Sequence, residues 1–286
     1  MNFFRLTTRL AAAVVAVLLW AAPALPQQAY ESNEKRIATF KPAEQAYERF
    51  RFWSTQLPPE QRTGEPWALY LKYLHDKGFS AADASVQLDL VQKQGSRAEI
   101  ERWNRILTSE KPNFNTNPNE FLVQMAKDRK PGTALDVGMG QGRNAIWLAQ
   151  QGWDVTGFDP AEKAVELAQQ TAAKAGVRIK TEIKGTENFD YGDRKWDLIL
   201  YSYVSIRGTA EKAQNALKPG GILIIEAFHR DASKGQSIGG GVVFDTGDLP
   251  KIFPKLRVVR YEEPMTKTDF GTGVGRVVRY CAERPE

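Results

Sequence analysis

Residues 133–159 read TALDVGMGQGRNAIWLAQQGWDVTGFD. An apolar stretch from Thr133 to Val137 runs into a loop that contains Gly138, Gly140 and Gly142. A helix-like stretch from Asn144 to Gln151 follows, and a second apolar run, Val155 to Phe158, stops at Asp159. Strand, glycine loop, helix, strand and acid in this order predict a doubly wound α/β unit that holds the ribose end of a nucleotide-like ligand. The glycine spacing narrows the ligand. A dinucleotide fold carries GxGxxG, so that a helix N-terminus meets a pyrophosphate. Counted from Gly138, the third glycine would fall at Arg143, and it comes one place early at Gly142. Closely spaced glycines let the backbone approach a ligand with no Cβ in the way. Asp136, just before the loop, suits an amine-bearing or cationic ligand better than a diphosphate.

S-adenosylmethionine meets both conditions, having an α-amino group, a sulfonium charge and no phosphate. Residues 134–159 resemble the first two strands of a class I S-adenosylmethionine-dependent methyltransferase. The Gly142-Arg143-Asn144 ending and the second strand through Asp159 are similar to the small-molecule and tellurite-resistance branch of that family. The resemblance extends over roughly Asn117 to Cys281. It implies cofactor contacts from Asp136, Gly138, Met139, Gly140, Gly142, Asn144, Asp159 and Pro160. Asp136 would hold the methionine part; its other reading is a turn-initiating residue. Asp159 would accept hydrogen bonds from both ribose hydroxyls; its other reading is an N-cap for a helix opening at Pro160-Ala161.

The remaining implied contacts are less sharply written. The family places an acidic or amide residue after the third strand for adenine, and here that position is Thr186. Glu187 or Asn188 would substitute, with Phe189 against the ring; a solvated loop is the competing reading. The segment Trp196 to Tyr203 resembles the fourth strand, whose end faces the transferred methyl. It lacks the Asn/Asp-Pro-Pro-Tyr signature of enzymes that methylate adenine or glutamine amides. Tyr201 and Tyr203 either line the acceptor site, with Tyr201 also near the cofactor, or pack. His229 follows the fifth strand, where it is either a general base or a surface histidine. Pro219-Gly220-Gly221 makes the turn into that strand. His75 and His229 are too isolated to suggest a metal site.

The chain has 286 residues, enough for one or two domains, with 42% hydrophobic and 26% charged residues. Residues 1–29 read as a secretory signal peptide: Arg5 and Arg9 are basic, Leu10 to Ala22 is apolar, and Ala22-Pro23-Ala24 ends it. An uncleaved anchor and a misplaced start are the alternatives. The apolar run is shorter than the ~20 residues of a spanning helix, so no stable membrane span is expected in the mature chain. Setting Arg5 and Arg9 aside leaves 37 of the 39 basic residues against 34 acidic ones. That dispersed surplus argues against a nucleic-acid partner; the resemblance implies a small-molecule methyl acceptor. Cys281 is the single cysteine, which excludes an intrachain disulfide.

Residues 30–112 carry helical periodicity. Trp67, Tyr70, Leu71 and Leu74 share a face, as do Ile100, Trp103, Ile106 and Leu107. Pro58-Pro59, Gly78 and Gly95-Ser96 punctuate the segment into three or four short helices. It is either a bundle packed on the catalytic domain or a lid over the active site. Asn113 to Asn119 is a linker, and Asn117 or Asn119 can cap the next helix. Residues 113–286 then alternate strand and helix, which predicts a mostly parallel sheet. Two tail strands, Leu256 to Tyr261 and Val274 to Cys281, lack a helical pattern between them. The resemblance makes them the antiparallel hairpin of a seven-stranded Rossmann-like methyltransferase sheet. Such a hairpin and the early Gly142 both speak against NAD. Gly239 to Gly241 is either a lid hinge or a plain linker. The expected function is methyl transfer to a small molecule, and the competing class is an exported protein that keeps the fold without the chemistry.

Overall fold

The computed structural model describes residues 41–58, 66–206, 208–233, 240–271 and 273–286, together with Arg36. Residues 1–29, which the sequence reads as a signal peptide, together with Pro59 and Gly239, lie outside the described residues. Among the described residues three helices come first: α1 (Pro42–Gln56), α2 (Trp67–Asp76) and α3 (Ala81–Leu107). Proline at the start of α1 fits its first turn. Ser80 caps α3 by accepting from the Asp83 N–H at 3.1 Å. The three helices share an aromatic core in which Phe50 meets Tyr70 edge-on and Trp53 lies 4.9 Å from Tyr70 between ring centroids.

Gly95-Ser96 does not divide this region. α3 is one helix of 27 residues that runs through Gly95. A Cβ at Gly95 would stand 3.3 Å from Tyr47 Cε2 on α1. The glycine serves a close helix crossing, and the modest helix cost of glycine is tolerated for it.

The α/β unit contains α4 (Glu120–Ala126), β1 (Thr133–Val137), α5 (Arg143–Gln150), β2 (Asp154–Asp159), α6 (Glu162–Lys174), β3 (Lys180–Ile183), β4 (Trp196–Ser202), α7 (Ala210–Ala216) and β5 (Leu217–His229). It continues with β6 (Val243–Phe244), α8 (Asp248–Ile252), β7 (Arg257–Glu262), β8 (Met265–Lys267) and β9 (Val274–Glu283). The main sheet runs β3-β2-β1-β4-β5-β9-β7. Neighbours from β3 to β5 are parallel, and β9 enters antiparallel between β5 and β7. The tail is therefore the expected hairpin, but its last strand lies inside the sheet and β7 forms the edge. The short β6, β8 and α8 had no clear pattern in the sequence.

Strand alternation sets the two faces. Leu135, Val137, Ile199, Tyr201, Leu223 and Ile225 enter one core with Phe158 and Trp196. Ala134, Leu198, Leu200, Ile222, Ile224 and Cys281 enter the other, beneath Phe121 and Leu122 of α4. Strand order reverses between β1 and β4, so a crevice opens at their carboxyl ends, where sheets of this kind receive ligands.

Candidate functional site

The loop leaving β1 is built by left-handed glycines. Gly138, Gly140 and Gly142 have φ values of 61°, 54° and 80°, a region costly for residues with a Cβ. The Gly142 N–H donates to the Met139 carbonyl at 2.9 Å and closes the turn. The Met139 N–H donates to the Phe158 carbonyl at 3.0 Å, tying the loop to β2. The space around these glycines is taken by the protein itself. A Cβ at Gly138 would lie 2.6 Å from Val204 Cγ2, and one at Gly142 would lie 2.8 Å from Ala168 Cβ. At Gly140 the neighbour is Leu107 Cδ2, at 3.2 Å.

Two buried carboxylates flank the loop. Asp136 is 1% exposed and accepts from the Ala145 N–H at 3.1 Å. Burial pushes its carboxyl up to about 7, against the opposing effects of the nearby Arg143 charge and the Ala145 N–H, with Asp159 adding repulsion. Asp159 accepts from the Ala161 N–H at 2.8 Å with one oxygen and from the Gly140 N–H at 3.0 Å with the other. Burial raises its pKa, and those two N–H groups work against the rise. Asp159 does not cap a helix opening at Pro160-Ala161. α6 begins at Glu162 with Ala161 as its N-cap, and Asp159 forms a local turn two residues earlier. Both carboxylates keep acceptor capacity beyond these backbone partners.

The last turn of α3 reaches this loop. Leu107 packs with Ala161 and Ala164, flanked by Trp103 and Phe114, and Asn104 Oδ1 accepts from the Lys163 N–H at 2.9 Å. The helical region is thus a bundle at one end, and at the other its Leu107 packs beside Gly140 of the glycine loop.

Several sequence-derived candidates are placed differently. Tyr201 is fully buried, and its hydroxyl lies 3.2 Å from that of Tyr191 and 3.1 Å from Thr209 Oγ1. It shares strand parity with Ile199 and faces the core, which removes it from the acceptor and cofactor sides. Phe189 stacks on Phe158 with centroids 4.0 Å apart, so one ring face is already covered. Glu187 and Asn188 are exposed and hydrogen-bonded to each other at 3.1 Å. His229 is neither a surface residue nor a poised base. It is buried, its Nδ1 accepts from the Asp231 N–H at 3.1 Å, and its Nε2 lies 3.2 Å from Thr246 Oγ1. With both ring nitrogens engaged, no lone pair remains for proton abstraction. Asn144 is buried and accepts from the Asn119 N–H at 2.8 Å, holding the linker to α5.

Tyr203 lies beside a group of charged residues that the sequence reading missed. Its backbone is left-handed, with φ 57°. Its hydroxyl donates to Glu226 Oε1 at 2.9 Å, and burial followed by Glu226 and Asp269 raises its pKa far out of the physiological range. Asn119 Nδ2 donates to Glu226 at 2.7 Å and to Asp269 at 2.9 Å. Arg279 donates to Glu226 from the facing strand β9. Arg143, the first residue of α5, donates to Asp269 Oδ2 at 2.6 Å, to Ser202 Oγ at 3.2 Å and to the Asn117 carbonyl at 2.8 Å. Asn119, by accepting from the Leu122 N–H at 3.0 Å, also caps α4. The signal for this cluster was an acid, Glu226, inside the apolar run of β5 and an arginine, Arg279, inside that of β9.

Residues 134–221 match the family described as methyltransferase domain. A ubiquinone biosynthesis O-methyltransferase of Bordetella avium is 28% identical over 160 residues, covering 53% of this chain and 66% of that protein. A ribosomal RNA small subunit methyltransferase C of Alcanivorax borkumensis is 26% identical over 187 residues, covering 55% of this chain and 57% of that protein. TehB of Haemophilus influenzae, a probable S-adenosyl-L-methionine-dependent methyltransferase, is 34% identical over 76 residues, covering 24% of this chain and 27% of that protein. The TehB crystal structure matches with a TM-score of 0.50 at 20% identity, covering 58% of this chain and 62% of that one. The chain spans two-thirds or less of the length of these relatives, so they bear on the α/β unit rather than on a whole activity. Residues 134–221 thus carry the match to a methyltransferase domain, and the α/β unit has a fold like that of TehB.

Proposed function

We propose that the protein binds S-adenosylmethionine and transfers its methyl group to a small-molecule acceptor. The observation that carries this reading is the loop of left-handed glycines held between the buried carboxylates Asp136 and Asp159 at the carboxyl ends of β1 and β2. The donor set fits the cofactor. Asp136 would face the α-amino group, and Asp159 would accept from the ribose hydroxyls with the capacity its two backbone partners leave. Bound there, the cofactor supplies an activated methyl group on a good leaving group. Held by Asp136 and Asp159, it would give up that methyl to the acceptor's lone pair and retain the former carbon–sulfur bonding pair. A proton carried by the acceptor would be lost to bulk water when the product is released. The chain's task is alignment and exclusion of water, which suits the cover made by Leu107.

The small-molecule class is supported by the weak, dispersed charge of the chain. One relative is named for ribosomal RNA, so an RNA acceptor belongs in the same screen. Calorimetric titration with S-adenosylmethionine, S-adenosylhomocysteine and NAD tests the reading. Micromolar binding of the first two without NAD is expected. No binding of any would point instead to a fold kept without its chemistry. We further propose that residues 1–29 direct export, on the strength of Arg5, Arg9 and the apolar run to Ala22.

A further inference from the structure

A cleft of about 430 Å³ opens between the 112–118 segment and the 266–271 turn. The two segments are zipped together across its end. The Asn115 N–H donates to the Asp269 carbonyl at 2.7 Å, the Gly271 N–H donates to the Asn113 carbonyl at 3.1 Å, and Phe114 stacks on Phe270. Glu226 and Arg279 form part of the lining. Glu226 sits near the carboxyl end of β5 opposite Ser202, the last residue of β4. Asp269, also in the lining, grips Arg143 directly after the glycine loop. The cleft and the cofactor loop therefore share a wall.

We propose that this cleft is the acceptor site and that it takes an uncharged small molecule bearing hydroxyl or amide groups on a flat ring. The inference rests on the methyltransferase reading above. Its size falls within the range of about 300–1,000 Å³ usual for small-ligand pockets. The charge pattern selects the class. Glu226 faces Arg279, and Asp269 faces Arg143, so both buried carboxylates already have their counter-charge. At the rim, Glu120 and Lys267 are exposed and of opposite sign. A charged ligand entering here loses hydration and meets a floor whose charges are paired. A neutral ligand exchanges water for Asn113, Asn117 and Thr266, whose side-chain types both donate and accept. Pro118 and the edge of Phe114, whose ring stacks on Phe270, add apolar surface that suits a ring.

The test uses the full chain saturated with S-adenosylhomocysteine, its binding checked by calorimetry. Phenyl β-glucoside, benzoate and benzylamine serve as neutral, anionic and cationic probes in saturation-transfer NMR. The glucoside is expected to give a signal at least about threefold above either charged probe, a difference in occupancy that follows from affinity. Asn113→Trp and Thr266→Phe fill the cleft from residues that do not touch the glycine loop. Both should cut the glucoside signal by about threefold or more while S-adenosylhomocysteine affinity stays within about twofold. A preference for a charged probe, or an undiminished glucoside signal in a variant that still binds S-adenosylhomocysteine, overturns the acceptor assignment alone. The wild-type comparison decides the matter even where a variant fails to fold. Absence of S-adenosylhomocysteine binding overturns the cofactor reading, and the acceptor assignment with it.

Discussion

The Arg143 guanidinium lies 2.6 Å from Asp269 Oδ2, with both side chains about nine-tenths buried. This pair joins the helix after the glycine loop to the turn before β9. Removing one partner of a buried pair leaves the other charge uncompensated. Asp269→Ala is expected to cost about 3–5 kcal/mol in urea unfolding. The double variant Arg143→Met with Asp269→Leu should cost less than the sum of the two single changes. A loss below about 1 kcal/mol for Asp269→Ala would mean that the pair is not formed in solution.

Asp136 makes stability depend on pH in a defined direction. Burial carries its carboxyl from 3.8 to about 7. Between those values the native state binds more protons than the unfolded chain, so its contribution to stability falls as pH rises. The penalty is absent below the unfolded value and complete above about pH 7. Asp136→Asn should therefore raise the melting temperature at pH 8 by at least about 3 °C, the equivalent of ~1 kcal/mol, and give no rise at pH 4. Thermal scans at the two pH values decide it; an equal shift at both contradicts the burial account. A cofactor ammonium beside Asp136 would favour the ionised form. Cofactor binding at pH 6 should accordingly release a proton, read as a buffer-dependent heat.

The three loop glycines differ in what replaces them. Gly142→Ala meets Ala168 Cβ at 2.8 Å in a left-handed backbone, and should lose about 2–4 kcal/mol. Gly140→Ala meets only the mobile end of Leu107, and should lose about 1–2 kcal/mol, mainly from backbone strain. Urea midpoints that reverse this order would contradict the loop geometry.

Tyr201→Phe removes a hydroxyl whose hydrogen-bond partners among the described residues are Tyr191 and Thr209. The expected cost is about 1 kcal/mol of stability, with S-adenosylhomocysteine affinity within about twofold of wild type. A tenfold loss of affinity in a folded variant would return Tyr201 to the site.

The sequence made the α/β unit legible because its signals are local. Glycines spaced from Gly138 to Gly142, Asp159 at a strand end and the Pro219-Gly220-Gly221 turn each constrain the backbone within a few residues. Strand parity was legible too, and applied to Tyr201 it would have sent that ring to the core with Ile199. The charged cluster was hidden for a different reason. Asn119, Arg143, Glu226, Asp269 and Arg279 come from separate segments and meet only when the 113–119 linker and the 266–271 segment close over the sheet. Gly95 misled because a glycine written for a helix crossing looks like one written for a break.

Cys281 sits in β9 with Ile224 of β5 on one side and Arg260 of β7 on the other. It is 1% exposed, and burial pushes its thiol up to about 11. Being the chain's sole sulfhydryl, it makes the protein its own stopwatch. A thiol reagent added to the native protein can react only in the moments when β9 peels from its neighbours, so the labelling rate counts those openings without any engineered probe.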